Sequence, residues 1–456
     1  MDLDIFKKYN RPGPRYTSYP PATFFQGGLT PAQYIEQIEI SNHDKPQNIS
    51  FYVHIPFCNR LCHFCGCTTG ISQKEEVIRE YIDAIIKEIK TVGQYLDPNR
   101  KVSQIHWGGG TPNAINITYI EEIMQVFHER FSFIEKPEIA MECHPGELDY
   151  EDIDRLAAAG FNRISLGVQD FDPAILKIVN RIPSKRPVDE LVSYMKSRGF
   201  KGINLDLIYG LPGQTQESFA ENVQKAIEVS PDRLVTFSYA HVPWVKSAQK
   251  ILEKKGLPSP DEKLHMFLEG LNRLTAAGYV TIGMDHYAKA DDDLSLALKN
   301  NTLHRNFQGY ATRETTGQVY GFGSSSITQL WGSYVQNVKT FKQYIEEINK
   351  HGLAPDKYYV LTKENQVVRE VINEIMCNGR MNFDEVAAQF GTTAGEIRKT
   401  VQFSPDKLQE LMDDQLVSID GNTINVHKDG FFVVRNIAMA FDPLLKTTDA
   451  MYSKTI

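Results

Sequence analysis

The sequence predicts an α/β fold: a partial (β/α)6 barrel with an N-terminal extension and a mostly helical, winged-helix-like C-terminal domain. Two observations support this prediction. Strand-like runs alternate with amphipathic helices through the first half of the chain, which implies a parallel sheet with helical crossovers. After about residue 355 the alternation is replaced by short helices and a hairpin. We therefore expect an N-terminal segment over 1–40 that covers a substrate, a barrel with its extension over 41–355, and a C-terminal domain over 356–456.

The first predicted strand spans 51–55 and leads into a loop that carries Cys58, Cys62 and Cys65 with C-x3-C-x2-C spacing. Iron–sulfur clusters prefer soft thiolate ligands, and three thiolates leave one iron of a cubane cluster open. Structural zinc sites favour a second pair of ligands farther along the chain, which is missing here. Cys67 could supply a fourth sulfur, so a tetrahedral zinc site remains the alternative at this point.

The elements after this loop continue the alternation. Isoleucines recur at helical spacing between Lys and Glu residues and predict an amphipathic helix over 75–93. The same rhythm then predicts, in order, a strand at 102–107, a helix at 117–130, a strand at 138–142, a helix at 149–159, a strand at 163–168, helices to about 198, a strand at 202–208, a helix at 215–229 and a strand at 233–239.

Polar or glycine residues stand near the ends of these strands. Because ligands of parallel sheets and barrels bind at the carboxyl ends of the strands, this shared position predicts a site. Each residue alone could belong to a turn or to the surface, and a tight turn explains the glycine run as well as close approach to a ligand does. The residues are the four cysteines of the loop, Gly108, Gly109, Gly110, Thr111, Glu142, Gln169, Asp206, Tyr239, Ala240 and His241.

The C-terminal region has a different pattern. Helices are predicted at 364–377, 382–390 and 394–402, followed by a hairpin whose turn is Asp420-Gly421. This order resembles a winged helix-turn-helix. Residues 361–456 nevertheless carry 10 Lys and Arg against 14 Asp and Glu, a sign that opposes binding to phosphate. We expect a lid or packing module instead of a DNA-binding domain.

Composition limits the function further. The 456 residues carry a formal net charge of -8, which gives no general attraction for nucleic acid or an anionic membrane. No apolar run approaches the roughly 20 residues of a membrane helix, and no signal peptide is evident, so we expect a cytoplasmic protein. Four of the six cysteines lie between 58 and 67, which is unlike a disulfide framework. We further expect a monomer.

Phe64 stands directly before the third cysteine, and with it the segment from Cys58 to Cys65 resembles the cluster loop of radical S-adenosylmethionine enzymes. Several longer strings resemble one family of that superfamily, the oxygen-independent coproporphyrinogen III oxidases, also called coproporphyrinogen dehydrogenases. These strings are RPGPRYTSYP at 11–20, HWGGGTP at 106–112, GVQDF at 167–171, DLIYGLP at 206–212, GMDH at 283–286 and HRNFQGY at 304–310.

The resemblance implies a radical decarboxylation in anaerobic haem biosynthesis, in which two propionates of coproporphyrinogen III become the vinyl groups of protoporphyrinogen IX. It implies one 4Fe-4S cluster held by Cys58, Cys62 and Cys65, and two copies of S-adenosylmethionine. An electron donor and an electron acceptor of unknown identity are also required. The positions that match the family's S-adenosylmethionine contacts are Tyr52, Phe64, Gly109, Gly110, Thr111, Glu142, Gln169, Arg181, Asp206, Ala240 and Ile327, with Phe307 and Gln308 completing the pocket.

The chemistry of three of these residues suits such roles. Asp206 and Gln169 suit ribose hydroxyls, and Arg181 suits a methionine carboxylate through charge-assisted hydrogen bonds. For the tetracarboxylate substrate, the N-terminal segment offers local positive charge, although solvated surface charge is the common alternative. Its basic residues are Lys7, Lys8, Arg11 and Arg15.

Two related functions compete with this interpretation. Haem chaperones of the same superfamily resemble the barrel, but they generally lack the RPGPRYTSYP leader and carry an HN-x-x-YW string where this chain has HRNFQGY. A radical enzyme that methylates and opens haem would share only the cluster loop. The leader and HRNFQGY therefore argue against both alternatives.

Overall fold

The computed structural model describes residues 3–71 and 74–445, and its strands and helices are labelled here in chain order. Strands β1 to β20 are Gln26–Gly27, Ile49–Ile55, Phe57–Cys58, Gly70–Ile71, Lys101–Gly109, Ser132–Cys143, Arg163–Gln169, Asn204–Tyr209, Arg233–Ser238, Val280–Gly283, His286–Ala288, Leu303–Asn306, Gly309–Thr312, Gln318–Phe322, Ile327–Gln329, Ser333–Asn337, Pro355–Val360, Arg380–Asn382, Val417–Asp420 and Thr423–Val426. Helices α1 to α17 are Leu3–Tyr9, Pro31–Ser41, Glu75–Val92, Ile117–Arg130, Tyr150–Ala158, Pro173–Ile178, Val188–Ser197, Gln216–Val229, Lys250–Glu253, Pro260–Ala276, Asp293–Lys299, Phe341–His351, Lys363–Asn378, Phe383–Phe390, Ala394–Thr400, Gln409–Asp413 and Val434–Met439.

A 13-stranded sheet forms the body of the molecule, in the order β1-β17-β16-β15-β14-β2-β5-β6-β7-β8-β9-β11-β10. The six predicted strands, β2 and β5 to β9, are parallel neighbours, as the alternation with helices requires. The sequence did not predict β14, which lies parallel to β2 on its other side. Antiparallel strands extend both edges. The partial barrel is therefore confirmed, with an extension on each side.

The two faces of the sheet differ in chemistry. Tyr52 of β2 pairs with His106 of β5, so both side chains point to the same, concave face of the barrel. The preceding residues, Phe51 and Ile105, point to the other face and are buried under the helices. Helix α3 covers this outer face with its apolar stripe, which includes Ile82. The alternation along each strand thus separates an apolar outer core from a polar interior.

Element boundaries differ from the predictions for local reasons. Helix α5 begins at Tyr150 because Asp149 is its N-cap and forms a capping box with Asp152. Strand β6 begins at Ser132, well before the predicted 138, because Ser132 already pairs with Lys101 ahead of a register shift.

The C-terminal domain contains the predicted helices and hairpin. Helices α13, α14 and α15 pack beside a small sheet of order β18-β20-β19. Asn382 caps α14 with its side chain, so the helix begins one residue later than predicted. Tyr9, Tyr16 and Tyr19 of the N-terminal segment belong to this domain's apolar core. The N-terminal segment is therefore docked on the C-terminal domain, and the boundaries at 40 and 355 stay a prediction.

No helix within residues 3–71 and 74–445 combines the length and apolar character needed to cross a bilayer.

Candidate active site

Three side chains on the concave face form a contiguous polar row. The Tyr52 ring stacks on the His106 ring, with centroids 6.1 Å apart and planes 19° apart. His106 Nε2 lies 3.1 Å from a carboxylate oxygen of Glu142. Glu142 belongs to a central strand, yet its side chain is 47% exposed. Glu142 lies one residue before the end of β6, so its carboxylate is available to a ligand at this edge of the concave face.

Asp206 of β8 occupies the same face farther along the sheet. Its carboxylate accepts hydrogen bonds from the Ser165 hydroxyl at 2.9 Å and from the Asn204 amide at 2.7 Å. Burial, and to a lesser extent the charge of Glu142, raises the pKa of Asp206 to about 6. Asp206 is thus a buried, oriented acceptor on the cavity wall.

The cysteine loop lies at the carboxyl end of β2 and is closed by the short pairing of β3 with β4. Cys58 and Cys62 are each 9% exposed, and Cys65 is half-buried. The Cys62 sulfur accepts a hydrogen bond from the Arg181 guanidinium at 3.5 Å. A cation beside a buried sulfur favours its thiolate form, although burial raises the pKa of Cys62 on balance.

Cys67 forms a pair with Cys65. Their hydrogen bond lowers the pKa of Cys65 to about 6 and raises that of Cys67. Among the residues the structure describes, no three His, Cys, Asp or Glu side chains are arranged to hold a metal ion. The three predicted ligands are still close enough that Cys62 and Cys65 affect the pKa of Cys58. Sulfurs gathered on one loop beside a guanidinium fit an iron–sulfur cluster by donor chemistry.

The glycine run after β5 packs directly against the start of the cysteine loop. The Gly110 N–H donates to the Ile55 carbonyl at 2.7 Å, and the Thr111 N–H donates to the Phe57 carbonyl at 2.9 Å. A Cβ on Gly110 would lie 2.7 Å from that Phe57 oxygen, closer than real Cβ atoms approach. Gly109 has a φ of +113°, which side chains rarely tolerate. The close approach that requires glycine is thus to the protein's own backbone, while contact with a ligand stays a prediction.

Gln169 and Arg181 face each other at the end of β7. A Cβ on Gly167 would lie 2.9 Å from both Gln169 Nε2 and Arg181 Nη2. Gln169 has a φ of +69°. Its Oε1 is buried and has no hydrogen-bond partner among the described residues. An unsatisfied buried acceptor is costly, so it supports a ligand donor at this position.

The remaining predicted contacts lie on two sides of the cavity. Phe64 packs on the apolar cluster that includes Tyr239, next to Ala240. Phe307 and Ile327 share another apolar cluster with Tyr334. The backbone of Ile327 lies against Gly321, which pairs with Tyr52 in the sheet. The Oε1 of Gln308 is buried without a partner in the described part of the chain.

Three of the four basic residues predicted in the N-terminal segment form ion pairs with carboxylates. Lys7 pairs with Asp261 at 3.2 Å, Lys8 with Asp414 at 2.5 Å and Arg11 with Glu410 at 3.0 Å, all near the surface. The expectation that these three residues offer unpaired positive charge to a substrate is wrong, because carboxylates of the neighbouring domains already neutralise them. Arg15 is the exception.

Several polar residues of the cavity were missed from the sequence. His54, Ser165 and Asn204 have ordinary strand contexts. The sequence signal for each was a spacing of two residues along a strand, which puts two side chains on the same face of the sheet. His54 is two residues from Tyr52, Ser165 is two from Arg163, and Asn204 is two from Asp206.

Comparisons with known proteins show which family this chain resembles. The model of the radical SAM superfamily matches residues 52–226. The oxygen-independent coproporphyrinogen III oxidase of Salmonella typhimurium is 40% identical over 98% of this chain and 96% of its own length. The enzyme of the same name from Synechocystis is 36% identical over 100% of this chain and 98% of its own length. A solved Escherichia coli structure, described as a coproporphyrinogen III oxidase that is a radical SAM enzyme, superposes with a TM-score of 0.90 at 37% identity, covering 97% of this chain and 99% of that one.

Proposed function

The chain belongs to the family of oxygen-independent coproporphyrinogen III oxidases, and we propose that it converts two propionate side chains of coproporphyrinogen III into the vinyl groups of protoporphyrinogen IX. The observation that carries this proposal is the row of polar side chains Tyr52, His106 and Glu142 on the concave face beside the cysteine loop, with Asp206 farther along the same face. This arrangement supports the binding of the cofactors and of the substrate next to each other.

Membership of the radical SAM superfamily implies a 4Fe-4S cluster and S-adenosylmethionine. When bound, these groups would supply a 5'-deoxyadenosyl radical able to remove a hydrogen atom from the propionate carbon attached to the pyrrole ring. Carbon dioxide then leaves, the vinyl double bond forms, and one electron per propionate passes to an acceptor. The balance needs no acid or base from the protein, so the chain's own residues serve to bind, orient and enclose.

Cys58, Cys62 and Cys65 would hold the cluster, and Arg181 would sit beside Cys62 where a methionine carboxylate could bind. Asp206 and Gln169 present oriented acceptors for ribose hydroxyls. Contacts with S-adenosylmethionine are proposed in two groups, one near the cysteine loop and one around Phe307, Gln308 and Ile327. Two copies of the cofactor are part of the proposal.

The other partners also belong to the proposal. An electron donor must reduce the cluster, and an acceptor must take the electron released with each carbon dioxide. We propose a cytoplasmic location, because the composition and cysteine usage suit a reducing compartment. A monomeric state is also part of the proposal.

The test is an anaerobic assay of the reconstituted protein with S-adenosylmethionine, a low-potential reductant, coproporphyrinogen III and an electron acceptor. Mass spectrometry should show the stepwise loss of two carboxyl groups together with 5'-deoxyadenosine. A reaction without S-adenosylmethionine is the control and should leave the substrate intact. If 5'-deoxyadenosine forms without decarboxylation, the proposed substrate is wrong. Tight binding of haem without either product would favour a haem chaperone.

A further inference from the structure

Three arginines from separate parts of the chain meet beside the cavity. Arg15 comes from the N-terminal segment, Arg305 from β12 and Arg435 from α17. Arg305 Nη1 donates to the Arg15 backbone carbonyl at 2.7 Å. Arg435, which is 6% exposed, donates to the carbonyls of Gly13 at 2.5 Å and Pro14 at 3.1 Å. Two arginines therefore hold the backbone of residues 13–15 in place from two sides.

Arg15 and Arg305 lie close enough to Arg435 for their charges to repel it. Burial, followed by repulsion from Arg15 and Arg305, lowers the pKa of Arg435 to about 10. Within the described part of the chain, the Asp285 carboxylate faces Arg305 and Arg15, and together with His286 they hold its pKa below the usual value, against burial. Asp285 already lies 2.7 Å from His286 Nδ1. One carboxylate shared in this way leaves room for a further anion.

One buried N–H donor of Arg305 lacks an acceptor in the described part of the chain. Arg305 Nε is buried and has no partner among the described residues. The Arg305 guanidinium lies 5.4 Å from the centre of the Tyr310 ring, which supports its orientation. Arg15 is exposed, and none of the described residues forms a hydrogen bond or ion pair with its guanidinium. The structure thus presents two guanidinium groups, one of them with a buried N–H donor for which the described residues provide no acceptor.

The position relates this group to the active site. His286 pairs with Val235, which pairs with Asp206, so the register places His286 and Asp206 on the same face of the sheet. The charge of His286 reaches Asp206 and lowers its pKa against the stronger effect of burial. Arg305 belongs to the hairpin that carries Phe307. Arg15 and Arg305 therefore lie near Asp285 and His286 at the β11 side of the barrel, although β12 itself belongs to a separate two-stranded sheet.

We propose that Arg15 and Arg305 form a carboxylate-binding site that holds a propionate of the substrate, with Arg435 as a positioning residue that fixes the backbone of Gly13 and Pro14 directly before Arg15. This inference rests on the proposed function. The proposed substrate has four carboxylates, two of which do not react and stay in the product, so one of these can be held by the arginines. Guanidinium groups bind carboxylates in a two-point geometry that a single ammonium group does not provide. Holding a carboxylate on this side orients the macrocycle relative to the reacting propionate.

The test compares Arg15→Gln and Arg305→Gln with matched controls. The controls are Arg11→Gln and Arg313→Gln. Arg11 lies in the same N-terminal segment as Arg15 but forms an ion pair with Glu410, and Arg313 lies just past the hairpin of Arg305 but forms an ion pair with Glu374. Loss of a charge-assisted hydrogen bond should raise the KM for coproporphyrinogen III about 10- to 100-fold in the first two variants. The kcat should change less than about threefold, because the reacting groups are untouched. Both controls should retain the wild-type KM.

A second readout does not depend on turnover. Coproporphyrin III and its tetramethyl ester are titrated separately against the wild-type protein and each variant. The wild-type protein should bind the free acid at least about 10-fold more tightly than the ester, and Arg305→Gln should lose that preference. If Arg305→Gln does not fold, Arg305→Lys serves instead and should lose most of the preference while keeping the charge.

The outcomes separate the two proposals. If the wild-type protein forms no decarboxylated product, the proposed function fails, and the arginine site fails with it. If the wild-type protein is active while both Gln variants keep its KM and its preference for the free acid, only the arginine site is overturned. Equal binding of the acid and the ester by the wild-type protein would also overturn the arginine site.

Discussion

The hydroxyl of Tyr81 donates a hydrogen bond to the backbone carbonyl of His54 over 2.9 Å. The Tyr81 hydroxyl oxygen also accepts a hydrogen bond from the Ser324 N–H over 2.8 Å. Tyr81 belongs to α3 on the outer face of the sheet and is 0% exposed. A single side chain behind the sheet therefore fixes the end of β2, from which the cysteine loop departs, and the turn after β14, which leads to Ile327.

Replacing Tyr81 by Phe should destabilise the fold. The change leaves the His54 carbonyl and the Ser324 N–H buried without this partner, and each unsatisfied group costs roughly 1–3 kcal/mol. We expect a lower urea midpoint in equilibrium unfolding at an unchanged m-value. Tyr119→Phe is the matched control, because its hydroxyl donates to exposed Glu75, and its free energy of unfolding should change by less than about 0.5 kcal/mol. Equal stability of both variants would contradict this role of Tyr81.

The sequence predicted the parallel strands and the cysteine loop because both depend on local patterns. Alternation of strands with amphipathic helices specifies a parallel sheet whatever the rest of the chain does. The spacing of Cys58, Cys62 and Cys65 is likewise a local signal. Residues that the pattern placed at strand ends, such as Glu142 and Asp206, do line the concave face, because the phase of each strand was read correctly.

What escaped prediction depends on contacts between distant segments. Strand β14 joins the sheet beside β2 although about 260 residues separate them, and no local pattern signals that pairing. The ion pair between Lys8 and Asp414 unites residues 406 positions apart, so the charge of Lys8 could not be recognised as neutralised. The hydrogen bond from Arg305 to the Arg15 carbonyl likewise joins residues that are 290 positions apart. Long-range pairing decides which charges remain available for a ligand.

Gly110→Ala should disrupt the cysteine loop. The added Cβ would lie 2.7 Å from the Phe57 carbonyl and 2.8 Å from the Pro56 carbonyl, and the backbone there cannot yield without moving Cys58. We expect at least a severalfold loss of iron content after reconstitution, measured by iron analysis and by absorbance near 400 nm. Gly395→Ala is the control, because its Cβ would meet nothing closer than Thr393 Oγ1 at 3.8 Å. Full iron content in Gly110→Ala would show that the loop adapts.

Cys62→Ser should abolish the iron–sulfur absorbance near 400 nm and all turnover. A serine hydroxyl is a hard ligand and is not ionised near neutral pH, whereas a thiolate is the soft donor that the cluster requires. Cys377→Ser provides the contrast, because Cys377 is buried in the C-terminal region far from the loop in sequence. That variant should keep its cluster even if it loses some stability. Retention of the full cluster by Cys62→Ser would refute the ligand assignment.

Glu88 should make the stability of the fold depend on pH. This carboxyl group is fully buried and accepts hydrogen bonds from the Gly323 N–H at 2.9 Å, the Asn337 amide at 2.7 Å and the Tyr344 hydroxyl at 2.5 Å. Burial raises its pKa from 4.5 to about 7 against the effect of those bonds. Between these two pH values the folded protein holds a proton that the unfolded chain has released.

The free energy of unfolding contributed by Glu88 should therefore fall as the pH rises from about 4.5 to about 7 and then level off. A shift of this size corresponds to a loss of about 3 kcal/mol. Glu88→Gln keeps a neutral side chain of the same shape. The difference in free energy of unfolding between the wild-type protein and this variant should therefore follow the Glu88 curve, because the contributions of other titrating groups, such as Asp206, are the same in both proteins and cancel. Urea unfolding of both proteins at pH 5, 6, 7 and 8 measures that difference. A difference that stays constant across this range would show that Glu88 is ionised throughout and that its three donors fully offset its burial.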